Sequence, residues 1–351
     1  MRKLFLAAML MFSTPSFADY TFVVPQRPGS GTTIWAEIVA RELEPFLGEK
    51  IIIKNIPGAR DIPGFNKFHN ELQYDDKTVM VSHGGNGVAF LQEEVDYNYF
   101  DYTSIGLMNL NIITAIRKDY DPQEKIKFSA GSGQTPEAYA ITMLLCGPNL
   151  TVDEYIKCFQ ENVVWVKGMK GGERRLAFKR GELNATRENP AAFKKHVVPD
   201  ENAEIWFHHG ILQPDGSHAD DPNYPNHQFE ILFEKWYGVK PEGDFYDAYK
   251  LVKSFRDGLQ KALWVREGNP NAKKLQDALR EMSKDPEATK AIQKKVGNYE
   301  WLIGEDGDAH RDMLMTFINE GPMQTLVKFN KEALGLKSLL KELVSLSIVY
   351  K

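Results

Sequence analysis

The chain has 351 residues, of which 42% are hydrophobic and 26% charged, and 43 Lys and Arg against 48 Asp and Glu give a net charge of -5. This composition excludes a disordered, collagen-like or coiled-coil protein, and the mildly acidic balance gives no sign of nucleic-acid binding. The length is sufficient for two lobes, each with a hydrophobic core.

The first 18 residues have the layout of a secretory signal peptide. Arg2 and Lys3 precede a short apolar run, Leu4–Phe12, and Ser16 and Ala18 are small residues at the two positions that a signal peptidase reads. We therefore predict cleavage after Ala18 and export into an oxidising compartment, with a buried N-terminal helix as the alternative. N-terminal sequencing of the exported protein tests this prediction, which an intact first residue would contradict.

Strands and helices alternate after the predicted cleavage site. Tyr20–Val24 is a short apolar strand, and the helix that follows has apolar residues at a spacing of four and ends at Gly48. Ile51–Ile53 and Thr78–Val81 have the apolar composition of two further buried strands. Strands separated by glycine loops and helices predict an α/β fold with a mainly parallel sheet.

The middle of the chain begins a second α/β unit. We predict one strand over Ser104–Arg117 and a crossover in the polar segment Asp119–Lys125. Lys127–Ser129 is then strand-like and is followed by the loop Ala130–Thr135. Pro136 suits the first position of the next helix, because the missing N–H of proline costs nothing there.

Cys146 and Cys158 are the only cysteines in the chain. A turn at Gly147-Pro148-Asn149 separates them, and Thr151 and Glu154 form a capping-box pattern that starts a new helix. Two helices that meet at a short turn could bring the thiols within disulfide reach. The predicted compartment and the spacing favour a disulfide over two buried free thiols.

The C-terminal part is irregular at first and then mainly helical. Residues 200–245 are rich in Asp, Pro, Asn and His and predict loops on the surface of the second lobe, where the spacing of the histidines fits no standard zinc motif. A strand is predicted over Ala262–Val265. Helices are predicted near 270–283, 286–296 and 308–318, and an amphipathic stretch near 326–349.

Three strands end in loops rich in Gly, Ser and Thr, at residues 25–33, 82–87 and 129–135. Such loops present backbone N–H groups and hydroxyls at a helix N-terminus, where the helix dipole favours an anion such as a carboxylate. Turns also need glycine for purely structural reasons, so a structural role without ligand binding remains the alternative for each loop. No Rossmann or P-loop motif is present, and no cofactor is expected.

Short motifs resemble the periplasmic solute-binding proteins of tripartite tricarboxylate transporters (TctC-like, the Bug family). They occur in the order of that family over residues 20–320, and the most specific is Asn-x-Pro-Gly-Ala after a hydrophobic triplet. The matching segments are Val23–Thr32, Ile53–Ala59, Phe128–Gly133, Val166–Gly172 and Glu267–Pro270.

The resemblance implies an α/β, two-lobed periplasmic binding fold (type II-like), in which each lobe is a mixed sheet flanked by helices and the ligand lies between the lobes. We expect residues 19–118 and 258–351 to form the first lobe and residues 119–257 the second. The family binds carboxylated metabolites through loop backbone, hydroxyls and water. By position, Gln26 to Thr32 would hold the carboxylate and Ser129 to Thr135 would close on it.

The predicted ligand-binding residues come from these loops and from matched positions. They are Gln26, Arg27, Gly29, Ser30, Gly31, Thr32, Arg60, Ser82, His83, Asn86, Ser129, Gly131, Ser132, Gly133, Gln134, Thr135 and Asn184. Arg27 and Arg60 depart from the family pattern, and Asn184 stands where the family often has Asp. We hypothesise that one of the two arginines pairs directly with a carboxylate; the alternative is a solvated surface charge.

The function implied by the resemblance is capture of a small carboxylate and its delivery to membrane transporter subunits, without catalysis and by a monomer. No catalytic residue and no metal ligand is predicted, because no nucleophile elbow or zinc motif is present. Two rival functions remain: an exported α/β hydrolase-like enzyme, and a ligand-sensing partner of a signalling receptor.

Overall fold

The computed structural model of the chain describes residues 19–89, 94–130, 135–169 and 171–336, apart from the side chains of residues 60, 86, 88 and 130. The predicted signal peptide and the end of the last predicted helix lie outside the described residues. No described helix is long and apolar enough to cross a membrane.

The described strands and helices alternate through most of the chain. The strands are β1 (Tyr20–Val24), β2 (Ile51–Asn55), β3 (Thr78–Val81), β4 (Tyr102–Met108), β5 (Ile113–Arg117), β6 (Ile126–Ala130), β7 (Val163–Lys167), β8 (Ala185–Glu188), β9 (Ala203–His208), β10 (Ile211–Leu212), β11 (His218–Ala219), β12 (Ala262–Arg266) and β13 (Trp301–Leu302). The helices are α1 (Gly31–Leu47), α2 (Ile62–Asn70), α3 (Gly84–Ala89), α4 (Pro136–Cys146), α5 (Val152–Asn162), α6 (Gly171–Lys179), α7 (Pro190–His196), α8 (Phe229–Tyr237), α9 (Asp244–Gly258), α10 (Ala272–Lys284), α11 (Pro286–Val296), α12 (Glu305–Met313) and α13 (Glu320–Glu332).

The first lobe is built on a six-stranded sheet in the order β13-β4-β12-β3-β1-β2. β1 pairs in parallel with β2 and β3, whereas β12 is antiparallel to β3 and β4, so the sheet is mixed. Tyr20, Phe22, Val23 and Val24 of β1 are fully buried, as expected for a strand covered on both faces. The carboxyl ends of β1 and β3 lie side by side, and the loops that follow them meet there.

The second lobe contains smaller sheets. β5 lies between β8 and β9 and is antiparallel to both, and β6 pairs in parallel with β7. The helix α4 packs on α5 and α9, and α13 packs on α9 and α5. Residues 109–112 connect β4 to β5, and residues 259–261 connect α9 to β12.

The prediction of one continuous strand over Ser104–Arg117 is wrong. The segment is broken at residues 109–112 into β4 and β5, which belong to different sheets. Apolar composition alone cannot reveal such a break, because both halves are equally buried. We expected β5 in the first lobe, but it pairs with β8 and β9, which belong to the second lobe. We also expected α13 in the first lobe, but it packs on α9 and α5.

The histidine-rich segment of residues 200–245 is not a set of surface loops. It contains β9, the short β10–β11 hairpin and α8, and His208, His209 and Asp221 are fully buried. The Asp221 carboxylate accepts hydrogen bonds from Asn111 (3.1 Å) and from the Tyr299 hydroxyl (2.7 Å). No group of metal-ligating side chains occurs among the described residues.

The predicted disulfide is confirmed. Cys146 at the end of α4 is bonded to Cys158 in α5, with their Cα atoms 6.2 Å apart. The Thr151–Glu154 capping box forms as predicted and begins α5 four residues after the turn at Gly147. The bond therefore ties two helices that pack on each other.

Loss of this disulfide should lower the free energy of unfolding by about 2–3 kcal/mol, because the bond closes a short loop in the unfolded chain. The Cys146→Ala/Cys158→Ala variant and the reduced protein should unfold at the same denaturant concentration, below that of the oxidised protein. Reductant should leave the double variant unchanged. An identical midpoint for oxidised and reduced protein would refute a stabilising role.

Candidate functional site

The loop between β1 and α1 is shaped to expose the start of a long helix. Gly29 adopts a φ of +75°, and Ser30 caps α1 by accepting a hydrogen bond from the Thr33 backbone N–H (3.1 Å). Ser30, rather than Thr32 or Thr33, is therefore the N-cap, which leaves the Thr32 hydroxyl available for a contact inside the cleft. The dipole of the 17-residue helix α1 makes this end favourable for negative charge.

A polar group lies beside this loop. The Gln26 side chain donates to the Asp61 carboxylate (3.0 Å), and the His83 imidazole lies 3.0 Å from the same carboxylate oxygen. Burial lowers the pKa of His83, and the nearby positive charges of Lys261 and Arg256 lower it further, against the opposing effect of Asp61. His83 is therefore neutral at physiological pH and can bind a ligand only as a neutral hydrogen-bonding group.

Lys261 lies on the crossing from α9 to β12 and points into the same region. Its ammonium donates to the Thr32 hydroxyl (2.9 Å), and the residue is 2% exposed. Burial lowers the pKa of Lys261 to about 7, with Arg256 adding to the effect and Asp61 opposing it. A negatively charged ligand at this point would restore the full positive charge of the lysine.

Arg256, in the last turn of α9, is the second cation of this region. It is 2% exposed, and its Nε and Nη1 atoms have no hydrogen-bond partner among the described residues. Gly84 at the start of α3 touches it, since a Cβ there would lie 2.7 Å from the Arg256 carbonyl oxygen. Burying these two nitrogen atoms without hydrogen-bond partners costs free energy. We call Arg256 and Lys261 the cationic pair.

The second lobe contributes a separate group of buried polar side chains. The hydroxyls of Ser129 and Thr135, at the two ends of the predicted closing loop, are fully buried and have no hydrogen-bond partner in the described part of the chain. Glu137, in the first turn of α4, lies 3.4 Å from the Arg187 guanidinium and 4.0 Å from the His209 imidazole.

The two lobes approach each other at the start of α1. A Cβ on Gly31 would lie only 2.9 Å from the amide nitrogen of Asn189, the residue that caps α7 in the second lobe. A side chain at position 31 would therefore require the Asn189 amide to move. The helix α7 also contacts α11 of the first lobe, so the cleft is closed on this side.

The structure brings together many, but not all, of the residues predicted from the sequence. Gln26, Ser30, Thr32 and His83 lie close to the cationic pair in the first lobe. Ser82 is fully buried next to them, and its hydroxyl donates to the Leu259 carbonyl (2.5 Å) at the crossing. These positions remain predicted ligand contacts.

Two predicted residues have other surroundings. The Arg27 side chain is exposed, and both ends of the Asn184 amide are occupied, by the Lys125 carbonyl (2.9 Å) and the Lys127 N–H (2.7 Å). Asn184 therefore ties β6 to the start of β8. The predicted residues Gly131, Ser132, Gly133 and Gln134, and the side chains of Arg60 and Asn86, lie outside the described part of the chain.

The ligand-binding residues predicted from the sequence do not include Arg256, Lys261, Glu137 or Asp257. One signal was present: in α9, Lys253 and Arg256 follow Tyr249 and Val252 at helical spacing, so charged residues occupy the apolar face of an amphipathic helix. Such charges must be paired or functional. Nothing in the local sequence marks Lys261, which adopts a φ of +57° at the crossing.

Comparisons with solved structures agree with the fold. The periplasmic binding protein BugD has a TM-score of 0.58 and 16% identity, over 90% of this chain and 98% of that one. MatC from Rhodopseudomonas palustris with bound malate has a TM-score of 0.56 and 14% identity, over 90% and 98%. A TctC solute binding protein from Polaromonas, without ligand, has a TM-score of 0.53 and 15% identity, over 90% and 99%.

These neighbours are binding proteins and not enzymes, and the chain has their two-lobed α/β fold. The predicted resemblance to Bug and TctC proteins is confirmed at the level of the fold. No protein-family model and no curated protein matches the sequence.

Proposed function

We propose that this protein is a periplasmic solute-binding protein that captures a small carboxylate between its lobes and delivers it to membrane subunits of a tripartite tricarboxylate-type transporter. The cationic pair carries the proposal: Lys261 donates to Thr32 in the first turn of α1, and Arg256 has two buried nitrogen atoms without a hydrogen-bond partner among the described residues. A carboxylate supplies the missing acceptors and charge.

The fold supports this function independently of the cationic pair. It is shared with binding proteins, one of them with bound malate, and the signal-peptide pattern is consistent with export. In this fold a ligand lies between the lobes and draws them together by contacts to both. The close approach of Gly31 and Asn189 is the contact expected in the closed form.

A thermal-shift screen of the mature protein against mono-, di- and tricarboxylates and amino acids tests the proposal. At least one carboxylate should raise the unfolding temperature, because a ligand at 100 times its Kd stabilises the folded state by about 2.7 kcal/mol. The ligand should be recovered unchanged after incubation. Stabilisation by no carboxylate, or chemical turnover of the ligand that binds, would contradict the proposal.

A further inference from the structure

Residues 208–223 run beside the connection between β4 and β5, and we call them the strap. The strap begins at the end of β9 and includes the β10–β11 hairpin. The His208 imidazole fixes both of its ends, since Nδ1 accepts a hydrogen bond from the Gly210 N–H (3.0 Å) and Nε2 donates to the Tyr224 carbonyl (3.1 Å). Because β9 pairs with β5, this root of the strap belongs to the second lobe.

Two buried asparagines of the connection between β4 and β5 bind the strap. The Asn109 amide donates to the Leu212 carbonyl (2.8 Å), and the Asn111 amide donates to the Asp221 carboxylate (3.1 Å). Asn109 is 7% exposed and Asn111 is fully buried. Buried amides need such partners, because leaving them unpaired costs free energy. The strap is therefore held against the segment that joins the sheets of the two lobes.

The strap is also attached to the first lobe. The Tyr299 hydroxyl donates to the Asp221 carboxylate (2.7 Å), and the Tyr299 ring lies in the hydrophobic core of the first lobe. Ile211 packs against the same core. The Asn223 amide donates to the Asn298 carbonyl (3.3 Å). The strap therefore links the two lobes through side chains, in addition to the covalent connections.

The Asp221 carboxylate is the common acceptor of these contacts. It is fully buried, and besides Tyr299 and Asn111 it accepts hydrogen bonds from the backbone N–H and the side-chain amide of Asn223 (2.8 Å each). A buried carboxylate needs several donors, and each hydrogen bond to it is stronger than one between neutral groups. Moving the first lobe away from the strap would remove the Tyr299 donor and leave the buried charge with fewer partners.

We propose that the strap restrains the two lobes, so that it limits how far the ligand-free protein opens. Its attachments to the first lobe are the hydrogen bond from Tyr299 to Asp221 and the packing of Ile211. Domain closure in two-lobed proteins turns on a few residues of the connecting segments. Here a non-covalent link lies beside one of these segments, and wider opening must break a buried hydrogen bond to a carboxylate. The inference goes beyond the proposed function and does not depend on the identity of the ligand.

The separation of the lobes can be measured directly in the ligand-free mature protein. Spin labels attached through Lys273→Cys in the first lobe and Arg180→Cys in the second report the distribution of distances between the lobes by pulsed electron paramagnetic resonance. Both side chains are mostly exposed, at 82% and 64%, and each has only an exposed ion pair to lose. Labelling without reductant keeps the native disulfide intact.

Two substitutions detach the strap from the first lobe in different ways. Tyr299→Phe removes the donor to Asp221 and keeps the ring, and Ile211→Ala removes the apolar contact. In Tyr299→Phe the ratio of wide to narrow separations should rise about tenfold or more, because a hydrogen bond to a buried carboxylate no longer opposes opening. Ile211→Ala should shift the distribution in the same direction.

Tyr224→Phe is the matched control. It also removes one hydroxyl beside the strap, but the Tyr224 hydroxyl has no hydrogen-bond partner among the described residues, and its ring packs on Phe193 of the second lobe. Its distance distribution should therefore equal that of the unaltered protein. Circular dichroism and the unfolding temperature establish that each variant is folded.

The distance distributions decide the inference. A single narrow distribution in the unaltered protein and in Tyr224→Phe, with wide separations in both strap variants, supports the restraint. Wide separations already dominant in the unaltered protein would overturn it, and this arm needs no strap variant. An unchanged distribution in Tyr299→Phe and Ile211→Ala, even with a lower unfolding temperature, would show that the strap only stabilises its surroundings. None of these results bears on carboxylate capture, which the ligand screen tests separately.

Discussion

Replacing Arg256 by glutamine should weaken binding of the carboxylate ligand by at least about a hundredfold. Removing one partner of a buried charged pair costs about 3–5 kcal/mol, and about 1.4 kcal/mol corresponds to a factor of ten in Kd. The ligand-free variant should be at least as stable as the unaltered protein, because it no longer buries a guanidinium whose Nε and Nη1 atoms have no partner among the described residues. Calorimetric titration and urea unfolding measure the two effects.

The control for this prediction is Arg266→Gln. Arg266 lies on the neighbouring strand β12 and pairs with Asp76 (2.6 Å), with about a third of its side chain exposed. Its replacement should leave ligand affinity unchanged. Unaltered affinity in Arg256→Gln, or a loss of stability as large as the loss of affinity, would show that Arg256 has a structural role and does not bind the ligand.

Ligand affinity should fall by up to about tenfold per pH unit as the pH rises above 7. In the ligand-free protein the pKa of Lys261 is about 7, so the ammonium loses its proton above that pH, whereas a bound carboxylate holds the proton in place. Burial also lowers the pKa of the nearby His83, so its imidazole is already neutral in this range. Titrations between pH 6 and 8.5 measure the slope.

The same residue predicts the stability of the ligand-free protein. The folded-state pKa of Lys261 is below its usual value, so between about pH 7 and 10 the unfolded chain binds a proton that the folded protein has released. The contribution of Lys261 to stability therefore rises with pH in this window. Lys261→Met should abolish both pH dependences. A pH slope that survives in this variant would assign the titration to another group.

Local patterns predicted the parts of the molecule that local chemistry governs. The alternation of strands and helices, the end of α1 at Gly48 and the capping box that begins α5 each depend on residues close together in the chain. The disulfide could be predicted for the same reason, because a short turn and two helices bring Cys146 and Cys158 together. Motif resemblance added the two-lobed fold.

The misjudged features depend on residues far apart in the chain. Asn184 matched a family position, but its amide is occupied by β6, almost 60 residues earlier. The histidines near 208 were expected on the surface because the segment is polar, yet both are fully buried, with His208 bonded to the Tyr224 carbonyl and His209 to Asp257. Composition reports the polarity of a segment and not what packs on it.

The sequence by itself determined the fold class, the disulfide and the position of the glycine-containing loop between β1 and α1. The tertiary structure decided which charges are buried in the cleft. Lys261 donates to Thr32, which lies more than 220 residues earlier, and the glycines of α3 pack against the end of α9, where Arg256 lies. Burial of a charge depends on what covers it, and for the cationic pair the cover comes from segments that are distant in the chain.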